Sequence, residues 1–234
     1  MADYLLHEKV FEEFYKIYLQ KLKNIPKHKL KILVLGSGKG AFDRRLIDSG
    51  FSNIVSIDIN AKDYLLKKKT RFIRYDLNQN FSNIGKFDVI FAIEIIEHIH
   101  NTYKFLEDCA SNLAGGGYLF ITTLNIHEKT SRLNMLIFGI SPSFSQKALY
   151  ESGHINPIID WVFRYFCDNL DLKIIKRTYN RTFFDILPIY SYKSTLYYIF
   201  LFLLTLFIGS IYKNKKLADG VISIYIIQKQ KYRK

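Results

Sequence analysis

Short apolar runs that alternate with segments of helical length constrain the fold of this chain more than any other feature. Each run has the length of a strand buried on both faces, and each gap can hold a crossover helix. The runs lie at 31–35, 54–57, 72–75, 87–93 and 118–122. Strands joined through helices pair in parallel, so the pattern predicts an α/β fold with a doubly wound, mainly parallel sheet.

The segments around these runs complete the predicted domain. Apolar residues at helical spacing over 4–22 predict an N-terminal helix within 1–25. The region 125–153 follows the fifth strand, at the edge where open α/β sheets bind substrates, and is expected to form a lid. A helix at 157–170 and strands at 172–176 and 220–227 then extend the sheet to seven strands. The chain 1–234 is therefore expected to be a single domain with a core at 30–180.

An almost wholly apolar stretch, 195–212, lies between Lys193 and Lys213 and is close to the shortest length of a membrane span. Two predicted strands of one sheet flank it, so a single crossing would separate them. It is instead expected to pack as a helix on the domain, to meet a partner chain, or to lie on a membrane surface together with the basic residues up to 216.

The start of the chain, the two cysteines and the net charge bear on the location and partners of the protein. The beginning of the chain lacks the basic and apolar regions of a secretory leader, so we expect a cytoplasmic location, with contact at the inner face of a membrane as an alternative. Cys109 and Cys167 lie in apolar stretches and are expected to be buried thiols. The formal net charge of +13 is spread over separate lysine clusters. This favours a solvated basic surface over a nucleic-acid partner.

A glycine-rich turn, Gly36-Ser37-Gly38-Lys39-Gly40, connects the first predicted strand to a helix. Glycines allow a sharp turn and close approach of a ligand, and the helix start offers unpaired N–H groups. Asp58 ends the second strand, where a carboxylate can accept ribose hydroxyls, and Asp76 follows the third, where it can accept from an adenine amino group. The turn also fits a nicotinamide or flavin enzyme, and Asp76 also fits a plain turn residue.

The whole run resembles the class I S-adenosylmethionine-dependent methyltransferases, which have a Rossmann-like fold. The resemblance covers about 30–180 and is carried by Ile32–Gly40, Val55–Asp58, Asp76-Leu77, Phe87–Ile90 and Leu113–Tyr118. It implies S-adenosyl-L-methionine as the cofactor. One departure is Val34, at a position where the family often has an acid.

The resemblance also implies roles for individual residues. The glycines would approach the methionine part of the cofactor, Asp58 the ribose, and Asp76 with Leu77 the adenine. The cofactor-binding residues implied in this way are Gly36, Ser37, Gly38, Gly40, Asp58, Ile59, Asp76, Leu77 and Ile93.

A second group of candidate residues follows the fourth strand in Glu94-Ile95-Ile96-Glu97-His98. If a helix begins near Glu94, the side chains of Glu94, Glu97 and His98 share one face. Such a face can bind a divalent metal, form a hydrogen-bonded active-site wall, or cap the helix. The neighbouring His100 and His127 are interpreted as surface residues.

With the distant His154, this group is similar to the ubiquinone-pathway O-methyltransferases and also to small-RNA 2′-O-methyltransferases. The similarity implies O-methylation of a small-molecule, lipid or glycan acceptor, with Glu94, Glu97, His98 and His154 as ligands of Mg²⁺ or another divalent cation. His154, His98 and Glu97 are the candidate catalytic residues, and either histidine could act as base without metal. An RNA methyltransferase, a Rossmann oxidoreductase and a non-catalytic membrane- or partner-binding module remain alternatives.

Overall fold

The computed structural model describes residues 2–180, 203 and 220–231. The strands are β1 (Ile32–Leu35), β2 (Ile54–Asp58), β3 (Arg71–Arg74), β4 (Phe87–Ile93), β5 (Leu113–Leu124), β6 (Leu172–Tyr179) and β7 (Ile222–Lys229). They form a seven-stranded sheet in the order β3-β2-β1-β4-β5-β7-β6. Strand β7 runs antiparallel to both of its neighbours, and the remaining pairs are parallel. The predicted Rossmann-like, mainly parallel seven-stranded sheet is confirmed.

Helices cover both faces of the sheet. The α-helices of the described residues are α1 (Ala2–Ile17), α2 (Ala41–Asp48), α3 (Thr102–Asn112), α4 (Lys129–Phe138), α5 (Gln146–Ser152) and α6 (Asp160–Asn169), of which α1, α2, α3 and α6 pack on the sheet. Phe14 of α1 shows why the first helix packs on the sheet, because its buried ring lies 5.1 Å from Phe91 and 6.0 Å from Phe120. Helices α1 and α2 cover one apolar core, while α3 and α6 cover the other.

Strands β1 and β4 are neighbours in the sheet, although β2 and β3 lie between them in the sequence. The direction of the strand order reverses at this pair. At such a switch point the loops that follow the two strands diverge to opposite faces and leave a crevice at the carboxyl edge. The glycine turn follows β1, and the segment with Glu97 follows β4. The fold therefore places both candidate groups at one edge of the sheet.

Some local predictions are wrong. Residues 115–117, predicted as a turn before the fifth strand, lie inside β5, where the register against β4 shifts between Phe87 and Val89. The strand continues through the three glycines, and the extra residues appear as this irregularity in the pairing with β4. The helix predicted from 157 begins at Asp160, and β6 and β7 each extend beyond their predicted ends.

The predicted lid region, 125–153, contains α4, a short 3₁₀ turn at Pro142–Phe144 and α5. Its role as a lid stays a prediction. The predicted apolar helix at 195–212 and the predicted membrane contact through 195–216 lie outside the described residues, apart from Leu203. Among the residues that are described, no helix has both the length and the apolarity needed to cross a membrane. Cys109 and Cys167 are buried free thiols, as predicted.

Candidate active site

The glycine turn after β1 has backbone conformations that require glycine. Gly36 has φ +67°, and a Cβ atom there would lie 2.7 Å from Ile95 Cδ1, so the turn packs directly against the segment after β4. Gly38 has φ +52°, but a Cβ atom there would meet no described atom within 4 Å. The turn is thus closed against the protein at Gly36 and open to a ligand at Gly38.

Asp58 is fixed beneath this turn by backbone groups. Its Oδ2 atom accepts from the Gly38 N–H at 2.8 Å, and its Oδ1 atom accepts from the Asn60 N–H at 2.8 Å. Each carboxylate oxygen can accept a further hydrogen bond. The carboxylate is therefore oriented and still able to accept from ligand hydroxyls, which is the arrangement that ribose binding needs. Ile59, the next residue, exposes 59% of its surface.

The other predicted cofactor residues have different surroundings. The buried Ser37 hydroxyl has no hydrogen-bond partner among the described residues, and Gly40 caps the start of α2. Asp76 Oδ1 accepts from the Asn78 N–H at 2.9 Å, so this carboxylate does form the strand-end turn. Leu77 is buried in the core. Ile93 ends β4 and packs against the core, and Val34 is buried inside it. The binding roles of these residues stay predictions.

The helix predicted to begin near Glu94 is not present. Glu94 has φ +50°, a left-handed conformation that an α-helix cannot contain, and its N–H donates to Thr122 Oγ1 at 2.9 Å. A short 3₁₀ turn, Ile96–His98, follows. The expectation that Glu94, Glu97 and His98 share one helical face is therefore wrong, because a side chain of the neighbouring strand holds the Glu94 backbone away from helical geometry.

The structure instead brings Glu97 and His98 together with the distant His154. One potential ligand atom of each lies within 4.8 Å of the others, and Glu94 is outside this group. His98 Nδ1 lies 3.1 Å from the Gly153 carbonyl oxygen, and His154 Nδ1 lies 2.9 Å from that of Ser143. A carbonyl only accepts, so each Nδ1 carries the hydrogen and each Nε2 keeps a free lone pair.

Glu97 is fully buried, and neither of its carboxylate oxygens has a hydrogen-bond partner among the described residues. The pKa of Glu97 is raised to about 8, chiefly by burial and also by the charge of Glu94, while its own backbone N–H and the nearby Thr123 hydroxyl act in the opposite direction. Burial also disfavours the charged form of His98, and this lowers the pKa of that histidine, as does the neighbouring His154. A buried carboxylate beside two imidazole lone pairs is a donor set that fits a divalent cation.

Sequence reasoning missed residues on the strands beside this group. The Thr122 hydroxyl fixes Glu94, and the buried Thr123 hydroxyl lies near Glu97. Their only signal was a threonine pair at the end of an apolar strand. His127 was predicted at the surface, but it is half-buried, and its Nε2 accepts from the Asp160 N–H at 3.3 Å. His100 is exposed, as predicted.

Solved structures define the class of this fold. An S-adenosylmethionine-dependent methyltransferase from Archaeoglobus fulgidus superposes with a TM-score of 0.60 at 17% identity, covering 98% of this chain and all of that one (100%). The magnesium protoporphyrin IX methyltransferase from Synechocystis, solved with bound S-adenosylhomocysteine, superposes with a TM-score of 0.62 at 12% identity, covering 98% and 85%. The fold is that of the S-adenosylmethionine-dependent methyltransferases.

The family follows from the sequence. A family profile described as a methyltransferase domain matches residues 6–157. The chain belongs to this methyltransferase family, which confirms the predicted enzyme class and decides against the Rossmann oxidoreductase.

Curated relatives point in the same direction. The human mitochondrial ubiquinone biosynthesis O-methyltransferase is 33% identical over 122 residues, which cover 44% of this chain and 33% of the relative. The Actinobacillus pleuropneumoniae ubiquinone biosynthesis O-methyltransferase is 25% identical over 163 residues, covering 61% and 65%. Each match spans less than two thirds of the relative's own length.

Proposed function

We propose that this protein transfers a methyl group from S-adenosyl-L-methionine to a hydroxyl oxygen of a small-molecule acceptor, and that Glu97, His98 and His154 form the reacting site. The observation that carries this proposal is the fully buried Glu97 carboxyl, without a partner among the described residues, beside two histidines that each keep a free Nε2. Names of the curated relatives support O-methylation in particular.

The cofactor's part is to carry an electrophilic methyl group on a sulfonium, which passes to the acceptor by in-line displacement. The protein's part is to hold the reacting atoms in line. Gly38 leaves room for the cofactor above the turn, and Asp58, oriented by two backbone N–H groups, accepts from its ribose hydroxyls. The contact between Gly36 and Ile95 links this binding site to the segment that carries Glu97.

The acceptor oxygen must lose its proton as the new bond to carbon forms. His98 has a lowered pKa and is neutral at physiological pH, with Nδ1–H bound to a carbonyl and Nε2 free to take a proton. His154 has the same orientation through Ser143. Either imidazole can therefore act as the general base without rearranging its own hydrogen bonds.

Glu97, His98 and His154 would also hold a divalent cation such as Mg²⁺. A cation bound there would lower the pKa of an acceptor hydroxyl and orient a pair of adjacent hydroxyls. The Nδ1–carbonyl bonds of both histidines are the supporting contacts that metal-binding imidazoles ordinarily have.

The acceptor of this proposal has an apolar part. The region 125–153, which contacts His98 and His154 through Gly153 and Ser143, exposes several apolar side chains, namely Met135, Leu136, Ile137, Phe138, Ile140, Leu149 and Tyr150. Exposed apolar surface of this kind suits a lipid or prenylated acceptor, or contact with a membrane surface. A glycan-bearing lipid would satisfy the same surface through its lipid part.

Calorimetric titration with S-adenosylhomocysteine is the first test. Binding supports the methyltransferase, whereas no binding would leave only the non-catalytic module. Methyl transfer to a catechol, an acceptor with two adjacent hydroxyls, is then measured with and without a chelator. If the cation site is used, the chelator should reduce turnover and added Mg²⁺ should restore it. His154→Ala should reduce turnover far more than cofactor affinity, while equal losses would make His154 a structural residue. His100→Ala, at an exposed position, is the matched control.

A further inference from the structure

A cavity of about 370 Å³ is lined by α2 and by the segment that connects β2 to β3. Four cationic side chains line it, Arg44 of α2 and the three consecutive lysines Lys67–Lys69. Its other lining residues are Tyr64, Leu65 and Leu66, so none of the predicted cofactor or catalytic residues belongs to it. The volume lies within the range of pockets that bind small ligands, and the cavity is separate from the site proposed for methyl transfer.

Buried side chains hold the lysine segment in one conformation. The Tyr64 hydroxyl lies 3.0 Å from Asp43 Oδ1 and 2.9 Å from Ser56 Oγ, which connects the segment to α2 and β2. Leu66 is also buried, and its carbonyl oxygen accepts from the Thr70 N–H at 3.1 Å, which closes a tight turn around the three lysines. Because the backbone is fixed on both sides of the lysines, their three charges are kept together beside α2.

The four cations have no carboxylate partner within 2–180, 203 and 220–231. The ion pairs formed by these residues include neither Arg44 nor any of Lys67–Lys69. Asp63, the one acid in the sequence from 62 to 71, accepts instead from Asn60 Nδ2 at 2.7 Å. Like charges around one cavity repel one another, so an anion bound there would lower the electrostatic energy of the folded protein.

Two of the lining side chains also pack against the glycine turn. A Cβ atom at Gly40 would lie 3.0 Å from Tyr64 and 3.1 Å from Leu66. These contacts close the turn on the side of the cavity, whereas a Cβ atom at Gly38 would meet no described atom within 4 Å. A ligand in the cavity and a cofactor at Gly38 are therefore expected to bind at the same time.

We propose that this cavity binds a small ligand that carries two adjacent phosphate groups. Lysine ammonium groups bind phosphate oxygens as compact point charges, and an arginine guanidinium can donate two parallel hydrogen bonds to them. A single phosphate group carries a charge of about −1.5 to −2 at neutral pH, so four cations are matched better by two such groups. Soluble diphosphates and the headgroups of phosphorylated lipids both present this chemistry.

Titration calorimetry with inorganic pyrophosphate tests the proposal on the full chain at constant ionic strength. Pyrophosphate should bind at one saturable site, at least about tenfold more tightly than inorganic phosphate, because it makes additional charged hydrogen bonds. Saturation with S-adenosylhomocysteine should leave this affinity unchanged. Replacing Lys67–Lys69 together by glutamine should weaken pyrophosphate binding by at least about tenfold. Arg44→Gln, on the α2 side of the cavity, should weaken it as well.

Exposed lysines before β1 provide the matched control. Lys21→Gln, Lys23→Gln and Lys29→Gln combined remove the same charge outside the cavity and should change pyrophosphate affinity little. An equal loss in this control, displacement of pyrophosphate by S-adenosylhomocysteine, or no saturable pyrophosphate binding would overturn the proposal.

Cosedimentation with vesicles of phosphatidylcholine and phosphatidylinositol bisphosphate then identifies the source of the phosphate groups. Once pyrophosphate binding is established, recruitment to the vesicles that free pyrophosphate reverses indicates a lipid headgroup in the cavity. No recruitment indicates a soluble ligand.

Discussion

The two halves of the sheet edge differ in how their polar groups are satisfied. In the half proposed to bind the cofactor (the cofactor half), after β1 and β2, backbone N–H groups bind both oxygens of Asp58 and hold it in place, and the buried Ser37 hydroxyl is the side-chain group there without a hydrogen-bond partner among the described residues. In the acceptor half, after β4 and along β5 and β6, Glu97, Thr123 and Arg177 have buried atoms without hydrogen-bond partners among the described residues. The proposed function therefore predicts that the cofactor half is preformed by local backbone, and that the polar groups of the acceptor half are satisfied by what binds there.

This difference separates what each half contributes. One backbone arrangement, a glycine turn with an acid at the end of a strand, can bind a cofactor that a whole enzyme family shares. Acceptors differ between family members, and side chains from several strands determine which one fits. Changes in the acceptor half should therefore affect turnover, while changes in the cofactor half should affect cofactor affinity or the fold.

The largest effect is expected from Glu97→Gln. Glutamine keeps the shape but cannot ionise, so it can neither take up a proton nor pair with a cation through a charged oxygen, and turnover should fall by about 10²- to 10⁴-fold, the range for losing a group that assists proton removal. The measurement is release of S-adenosylhomocysteine with a catechol acceptor. Affinity for that product, measured by calorimetry, should stay the same. Glu12→Gln, at an exposed position of α1, is the control. An equal loss of affinity for S-adenosylhomocysteine would contradict the claim that the acceptor half affects turnover alone.

The cofactor half was largely predictable from the sequence, and the acceptor half was not. The strand runs, the glycine turn and Asp58 are local patterns whose meaning depends on neighbours in sequence. Glu94 was misread because its conformation depends on Thr122, which lies 28 residues away. Arg177 gave no signal, since its partners Asp160, Asn125 and Ser223 are distant in sequence and meet only through the sheet.

The next effect in size concerns the contact between the halves. Gly36→Ala would place Cβ 2.7 Å from Ile95 in a left-handed conformation and should destabilise the fold by about 2–5 kcal/mol, combining backbone strain with overpacking. Gly38→Ala is the matched control, because it has the same backbone strain but open space and should cost only about 1–2 kcal/mol. Urea unfolding measures both. Equal destabilisation would mean that Gly36 does not pack the turn against the segment after β4.

A smaller effect is expected for Asp58→Ala. Loss of a charged hydrogen bond to ribose should weaken binding of S-adenosylhomocysteine by about 1.5–3 kcal/mol. Turnover at saturating cofactor should change much less, because Asp58 does not contact the reacting atoms. Calorimetry and initial rates separate the two quantities, with Asp48→Ala at the end of α2 as the control. Unchanged affinity would refute the ribose assignment.

The smallest effect should come from acid titration of the Asp160 network. Burial alone would raise the pKa of Asp160, but the hydrogen bond from Arg164 and the charge of Arg177 lower it below the usual 3.8. A depressed pKa in the folded state stabilises the protein above the unfolded-state value, and this contribution disappears as pH falls through the folded value. Asp160→Asn should therefore be less stable than wild type at neutral pH, and the difference should begin to shrink below about pH 4, near the usual pKa of an aspartate, and vanish only below the lower pKa of the folded state. Urea midpoints across this range test it, with the exposed Asp168→Asn on the same helix as control. A stability difference independent of pH would mean that the carboxylate charge does not hold Arg177 in place.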